Sequence, residues 1–200
     1  MKRSRYICAA RKDGAVNILD PITFSVVKTW SIHTTAIHDM DAQHDFIVTC
    51  GYSLRQQQNY VLDALVHVFD LKNLKSLPPI PFPAGAAFVR MHPRMLTTSI
   101  VVTQYGQMHV VDLMNPNAAN NVRQANVFNG NLLSVFEIAP SGEAIALADS
   151  ECNIHLWGSP SRIRFAEFSN PVESAHPVES QQSLGWSQDE YVAYMYLFHH

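Results

Sequence analysis

The feature that most constrains this chain is an internal repeat, because a repeat imposes one local architecture several times over. Each copy has an apolar run, a turn, and an alternating run that ends in a large apolar residue followed by Asp or Gly. Four copies occupy residues 5–20, 45–70, 98–112 and 143–158. Their ends lie 50, 42 and 46 residues apart. Most of the chain of 200 residues is therefore organised by one unit.

The alternation has a period of two, which predicts strands. In the last copy Ile154 and Leu156 fall on one face of the strand, and His155 and Trp157 fall on the other. Apolar side chains on both faces are typical of sheets that pack between two neighbouring sheets. Because the spacing is close to the period of about 40–45 residues of a WD40 blade, the sequence predicts an all-β, WD40-type β-propeller.

The number of copies predicts an incomplete ring. Three copies follow a further strand, but the first copy begins too near Met1 to have one. This gives about three and a half blades, whereas closed propellers typically have four to eight. The repeat stops near residue 170, and the motif PVES then occurs twice in a polar stretch. We expect a partial propeller over residues 1–170 and a linker-like, irregular or aberrant tail over 171–200.

Certain residues are expected to hold the blades together. The structural blade positions are the hairpin ends Asp20, Asp70, Asp112 and Trp157. Trp157 is expected to be buried against a neighbouring blade, and Trp30, on an outer strand, is expected to matter less. Asp13-Gly14 is a tight-turn dipeptide, and Tyr105-Gly106 and Asp149-Ser150 are expected at the equivalent turns. The WD40 hydrogen-bond set of Asp, His, Ser and Trp is interpreted as incomplete, with Trp157 as its one good match.

An insertion interrupts the second copy. It runs over residues 53–63, with the sequence SLRQQQNYVLD, and lengthens a connection between two strands. Long loops on rigid scaffolds often carry recognition, but such a stretch is equally typical of a disordered loop. If it binds a partner, the contact residues are Ser53, Arg55, Gln56, Gln57, Gln58 and Tyr60.

Composition and motifs argue against chemistry in this chain. It contains no Gly-rich phosphate loop, HExxH motif or nucleophile elbow. The formal net charge of −3 gives no basic field for nucleic acid. Three cysteines without CxxC spacing are typical of free thiols in a reducing compartment. No apolar stretch is long enough to span a bilayer. We therefore predict no catalytic site, no cofactor-binding site, no direct nucleic-acid site and a cytoplasmic location.

Two groups of residues suggest a metal site, and we interpret both as structural. The carboxylates nearest to a metal-binding set are those of Asp39, Asp41, Asp63 and Asp70. Three histidines, His67, His109 and His155, recur at one position of three copies, which is typical of a packing position. His33 and His38 flank a turn. The prediction is that the chain binds no metal.

Beyond the repeat, the chain resembles a known family in stretches that are no blade consensus. They include LKNLKSLPPIPFPAGAAFVRMHP, GQMHVVDLMNP and EIAPSGEAIALADSECNIHLWGSPS. It resembles the propeller part of the catalytic subunit of the poly(A)-specific nuclease complex that shortens messenger RNA tails, in its fungal form, over roughly residues 2–170. In that family a linker, a ubiquitin-hydrolase-like domain and a 3′-exonuclease domain follow the propeller.

The resemblance implies a non-catalytic protein-interaction scaffold in deadenylation. The expected direct partner is the pseudokinase-like adaptor subunit, and a poly(A)-bound protein is an indirect one. Two alternatives remain: a generic WD40 adaptor of another complex, or a fragment with the 3′-exonuclease activity of the family. A poly(A) degradation assay with magnesium separates the scaffold from the nuclease.

Overall fold

The computed structural model describes residues 5–54, 59–116, 121–124 and 130–158. These residues form sixteen strands: β1 (Ile7–Ala10), β2 (Ala15–Leu19), β3 (Val26–Ser31), β4 (Ile37–Gln43), β5 (Phe46–Leu54), β6 (Tyr60–Leu62), β7 (Leu65–Asp70), β8 (Lys75–Ser76), β9 (Ile80–Pro81), β10 (Phe88–Met91), β11 (Thr98–Val102), β12 (Gln107–Asp112), β13 (Asn121–Gln124), β14 (Leu133–Ile138), β15 (Ala144–Asp149) and β16 (Ile154–Gly158). No helix among the described residues is long and apolar enough to cross a membrane.

The strands form four antiparallel sheets, which we call blades 1 to 4. Blade 1 has the order β1-β2-β3, blade 3 the order β10-β11-β12-β13, and blade 4 the order β14-β15-β16. Blade 2 has the order β4-β5-β7-β8, with β6 paired to β5 and β9 paired to β7. Among the described residues, which begin at residue 5, no strand precedes the blade 1 hairpin. The prediction of an all-β, incomplete propeller is confirmed.

The hairpins share one register but differ in turn residue. His67, His109 and His155 lie opposite Thr49, Val101 and Leu147 of the preceding strand. Gly14 and Gly106 close two of the turns with φ values of 83° and 79°. Cys152 takes the equivalent position in blade 4 with φ of 63°. The turn is therefore Glu151-Cys152, and the expected placement at Asp149-Ser150 is wrong by two residues.

Prolines divide the outer strand of blade 2. β8 and β9 both pair with β7, and Pro78 and Pro79 lie in the gap between them. Pro81 lies within β9, opposite Leu65. Proline has no N–H to donate, so it is tolerated here because the outer strand is an edge.

The core lies between the blades, in three clusters. The alternation of each middle strand divides its residues between two interfaces: Ile47 packs between blades 1 and 2, and Val48 between blades 2 and 3. Ile100 and Val101 divide in the same way between the last two interfaces. Both faces of a blade are therefore buried, which explains why its strands carry apolar residues on both faces.

Trp30 and Trp157, the tryptophans among the described residues, are not buried to the extents that the sequence suggests. Trp30 is 7% exposed, its Nε1 donates to Ser76 Oγ at 2.9 Å, and its ring centroid lies 4.8 Å from that of Phe69. Trp157 is only partly buried, against the blade 3–4 cluster. The strand of Trp30 is an outer one, as expected, but its side chain points into the blade 1–2 interface, so the burial on which the expected ranking of the two residues depends is reversed.

The innermost strands of blades 2, 3 and 4 are joined by charged side chains. Asp39 Oδ2 accepts from the Val89 amide at 2.9 Å and pairs with Arg90 Nη1 at 2.5 Å. Asp41 Oδ2 accepts from the Met91 amide at 2.7 Å. On its other side, Arg90 makes two hydrogen bonds to Glu137, of 2.8 and 3.2 Å. Burial raises the pKa of both Asp39 and Asp41, and these hydrogen bonds oppose that rise.

Candidate functional site

The insertion in blade 2 continues a hairpin beyond the blade. β5 runs on to Leu54, and β6 returns beside it with Tyr52 opposite Leu62, Ser53 opposite Val61 and Leu54 opposite Tyr60. We call these two strand segments, residues 52–54 and 60–62, the β5–β6 hairpin. The predicted contact residues Ser53 and Tyr60 lie on it. The other four, Arg55, Gln56, Gln57 and Gln58, lie outside the described residues.

The far end of the β5–β6 hairpin presents apolar surface to solvent. Leu54 is 52% exposed, and Tyr60, directly opposite, is 65% exposed. A paired strand holds these two side chains in place, so a partner that contacts them would lose little chain entropy on binding. Exposed apolar surface on an ordered projection is a feature of contact sites.

Asp63 fixes the base of the β5–β6 hairpin. Its amide donates to the Gly51 carbonyl at 2.9 Å, and its carbonyl accepts from the Ala86 amide at 3.3 Å. Its Oδ1 accepts from the Leu65 amide at 3.3 Å. The base is therefore fixed both to blade 2 and to the segment that enters blade 3. The second carboxylate oxygen of Asp63, Oδ2, takes no part in these bonds.

Asp63 Oδ2 faces two histidines. It lies 3.8 Å from His33 Nδ1 and 4.0 Å from His67 Nε2. The two imidazole rings are nearly perpendicular, with centroids 4.8 Å apart. We call these three residues the His33–Asp63–His67 cluster. Within the described parts of the chain, it is the one group of three or more His, Cys, Asp or Glu whose atoms lie close enough to hold a metal ion. The other predicted carboxylates, Asp39, Asp41 and Asp70, are not in it.

The pKa values of both histidines of the cluster are lowered, which favours the neutral imidazole. Burial and, to a smaller extent, nearby His67 lower the pKa of His33 to about 4, and Asp63 partly opposes the change. Burial also lowers the pKa of His67, again against the attraction of Asp63. A neutral imidazole has one nitrogen with a free lone pair, which is the form that binds metals.

The sequence analysis missed this cluster. His33 follows β3, Thr49 lies in the middle of β5, and Asp63 ends the insertion, so the residues meet only when the blade has formed. His33 Nε2 lies 3.0 Å from Thr49 Oγ1. Blade 2 thus contains an Asp, a His and a Thr of the WD40 hydrogen-bond set, although the sequence interpretation gave Trp157 as the one good match to that set. The long insertion hid it by moving Asp63 away from the turn position.

The other blades fill the corresponding space differently. In blade 3 the Phe82 ring lies edge-on to His109, with centroids 4.7 Å apart. In blade 4, Asn131 Nδ2 donates to Asp149 Oδ2 at 3.3 Å, and His155 Nε2 lies 3.8 Å from the same oxygen. The pairing of two imidazoles with one carboxylate is therefore a property of blade 2 among the described blades.

The predicted strand-end aspartates lie at the turns that leave each hairpin. Asp20 Oδ1 accepts from the Ile22 and Thr23 amides at 2.9 and 2.8 Å. Asp70 Oδ1 accepts from the Lys72 and Asn73 amides at 2.8 and 3.1 Å. Asp112 Oδ1 accepts from the Met114 amide at 3.0 Å. Each carboxylate thereby satisfies backbone donors that the turn leaves free.

Four successive antiparallel blades, packed face to face, with the innermost strands of blades 2, 3 and 4 joined by charged side chains, define part of a WD40-type β-propeller. The sequence model of the PAN2 N-terminal family matches residues 1–158. The chain belongs to this family, as the resemblance implied.

The relatives and the solved structures agree with this assignment. The chain is 60% identical over 190 residues to the PAN2-PAN3 deadenylation complex catalytic subunit PAN2 of Chaetomium globosum, and 56% identical over 190 residues to that of Phaeosphaeria nodorum. Each alignment covers 94% of this chain and 17% of the relative, so the chain spans about a sixth of these proteins.

Among solved structures, the Neurospora crassa Pan2 WD40 domain superposes with a TM-score of 0.72 at 49% identity, covering 82% of this chain and 51% of that one. The β-propeller domain of Myceliophteria thermophila Cps50 (Swd1) has a TM-score of 0.61 at 16% identity, covering 79% and 49%. The second match concerns the fold alone. The chain therefore corresponds to about half of a WD40 ring, in the N-terminal region of its relatives.

Proposed function

We propose that the chain supplies blades to a propeller that acts as a non-catalytic protein-interaction scaffold in a cytoplasmic deadenylation complex. The support is 60% identity to a relative described as the catalytic subunit of the PAN2-PAN3 deadenylation complex. The direct partner is the adaptor subunit PAN3, which the family resemblance implies to be pseudokinase-like. A poly(A)-bound protein is reached indirectly, through the adaptor.

The β5–β6 hairpin is the observation that supports a particular binding surface for the partner. It projects beyond blade 2 with Leu54 and Tyr60 exposed and is fixed at its base by Asp63. Tyrosine is enriched among the residues that contribute most to protein interfaces, because it covers a large area with few rotatable bonds. We place the adaptor contact at Tyr60 and the adjoining insertion residues.

The test is the affinity of the full-length subunit for its adaptor, measured by calorimetry. Tyr60→Ala is expected to weaken binding about 10- to 30-fold, the effect of a typical interface anchor of about 2 kcal/mol. Tyr105→Ala is the matched control, because Tyr105 is 66% exposed and also lies at a hairpin turn, in blade 3. Equal affinities of the two variants would remove the β5–β6 hairpin from the interface.

A nuclease function of this chain is the competing hypothesis. Two-metal hydrolysis requires several carboxylates converging on cations about 3.5–4 Å apart, whereas the His33–Asp63–His67 cluster, within the described residues, has one carboxylate. We expect the 200-residue chain with Mg²⁺ to leave a labelled poly(A) substrate intact. Shortening from the 3′ end, lost on addition of a chelator, would overturn the scaffold proposal.

The second alternative is that the propeller is a generic WD40 adaptor of another complex and binds a different partner. A propeller that does not bind the deadenylation adaptor but captures another protein through the same face would support the generic WD40 adaptor. Binding of the adaptor by the wild-type subunit excludes that alternative, and this measurement is the reference arm of the calorimetry described above.

A further inference from the structure

We propose that the His33–Asp63–His67 cluster is a binding site for a divalent transition-metal ion, most suited to Zn²⁺. The ligands are His33 Nδ1, Asp63 Oδ2 and His67 Nε2, with water as the fourth. The site lies at the base of the β5–β6 hairpin, and this proposal does not depend on the partner of the hairpin.

The geometry requires a small closing movement. All three ligand atoms lie within 4.8 Å of one another. Around a tetrahedral zinc ion with bonds of about 2.0–2.2 Å, ligand atoms are about 3.3–3.5 Å apart. The separations of 3.8 and 4.0 Å to Asp63 Oδ2 therefore need to shorten by about half an ångström. The two imidazole nitrogens, which lie within 4.8 Å of each other, need to approach by up to about 1.4 Å.

His33 is prepared to act as a ligand. Its side chain is fully buried, and Nδ1 has no hydrogen-bond partner. Its other nitrogen, Nε2, lies 3.0 Å from Thr49 Oγ1. If the threonine oxygen accepts the Nε2 proton, the lone pair on Nδ1 is directed towards Asp63. An imidazole oriented through its second nitrogen is the usual arrangement of a metal-bound histidine. A metal ion would also satisfy a buried polar atom, and such atoms are rarely left unpaired.

Space and access also fit a metal ion. A Cβ on residue 51 would lie 2.7 Å from His33 Nδ1, so Gly51 keeps that side of the ring open. The side chains of Asp63 and His67 are 18% and 16% exposed, which leaves an entry path and room for a water ligand. Two imidazoles and one carboxylate form a mixed nitrogen and oxygen set that zinc commonly accepts.

Blade 3 supplies a matched control. His109 occupies the same strand position as His67, opposite the residue equivalent to Thr49. Its neighbour is the ring of Phe82 instead of a histidine and a carboxylate. His109→Gln therefore removes an equivalent imidazole from a place where no metal is expected.

The experiment is a Zn²⁺ titration of the metal-free, 200-residue chain in competition with a chromogenic chelator. We expect one Zn²⁺ per chain, with His67→Gln weakening binding on the order of 100-fold and Thr49→Val about 10- to 100-fold. His109→Gln is expected to match the wild type. Co²⁺ in place of Zn²⁺ is expected to give visible absorption bands of tetrahedral nitrogen and oxygen coordination, absent from His67→Gln.

Two results would overturn the proposal: no stoichiometric binding by the wild type, or equal affinities of His67→Gln and His109→Gln. Far-UV circular dichroism of each metal-free variant checks that it is folded. If His67→Gln is unfolded, Gly51→Ala decides, because it keeps all three ligands and its Cβ would lie 2.7 Å from His33 Nδ1 and 3.0 Å from the Ala36 carbonyl oxygen. Wild-type affinity in Gly51→Ala would then count against the site.

Discussion

At the scale of single residues, Cys152 adopts a backbone conformation that its residue type disfavours. Its φ of 63° lies in the left-handed region, at the position that Gly14 and Gly106 occupy in blades 1 and 3. For a residue with a side chain this costs about 1–2 kcal/mol. We expect Cys152→Gly to raise the free energy of unfolding by about 1 kcal/mol in urea denaturation. Cys152→Ala keeps the Cβ and removes the thiol; a gain as large as that of glycine would show that the thiol, not the backbone, is responsible.

Trp30 and Trp157 offer a direct comparison of burial. Trp30 is 7% exposed and hydrogen-bonded to Ser76, whereas Trp157 is only partly buried. We expect Trp30→Ala to cost about 3–5 kcal/mol, the range for a buried tryptophan, and Trp157→Ala clearly less. Chemical denaturation of both variants measures the difference. A larger loss at Trp157 would mean that the last blade is more enclosed in solution than its exposed strand indicates.

At the scale of elements, Arg90 connects the inner strands of three blades. Arg90 and Asp39 are 14% and 9% exposed, but Glu137, the partner in blade 4, is 57% exposed. Removing Arg90 leaves a buried carboxylate without its partner, so Arg90→Met is expected to cost about 3–5 kcal/mol. Glu137→Gln loses only a solvent-screened pair and should cost less than about 1 kcal/mol. Similar unfolding free energies for the two variants would mean that Asp39 does not need Arg90.

The sequence predicted the strands better than the turns and the cluster. Alternation located the strand pairs because each strand buries both faces, as Ile47 and Val48 illustrate. The blade 4 turn was misplaced because Cys152 is not a residue type that marks a left-handed turn. The insertion was expected to be a loop, yet its flanks pair as strands. His33, Asp63 and His67 could not be joined from the sequence, because only the folding of β3, β5 and β7 brings them together.

At the scale of the whole molecule, the last described sheet has an open apolar face. Val135 and Ile154 lie in register on either side of Ala148, and they are 48% and 76% exposed. Leu156, on the same face of β16, is 53% exposed. This chain covers 51% of the solved Neurospora crassa Pan2 WD40 domain, and in a closed propeller each blade packs against the next. The face therefore has the composition of a blade interface.

We expect the 200-residue chain to self-associate through this face, because exposed apolar surfaces and strand edges aggregate. Combining Ile154→Glu with Leu156→Lys should shift the protein towards monomer in size-exclusion chromatography with light scattering. Ile22→Glu, at a residue 73% exposed on the β2–β3 turn, is the control and should leave association unchanged. A concentration-independent wild-type monomer with a sharp thermal transition would contradict this expectation.

The two backbone hydrogen bonds of Asp63 fix the base of the β5–β6 hairpin to two neighbouring parts of the fold. One bond fixes it to Gly51 in its own blade, and the other to Ala86, two residues before β10 begins. A force applied at Tyr60 therefore acts on the interface between blades 2 and 3. β10 carries Arg90, which reaches both Asp39 and Glu137. A displacement of the hairpin is therefore passed to the contacts of Arg90, which join the innermost strands of blades 2, 3 and 4.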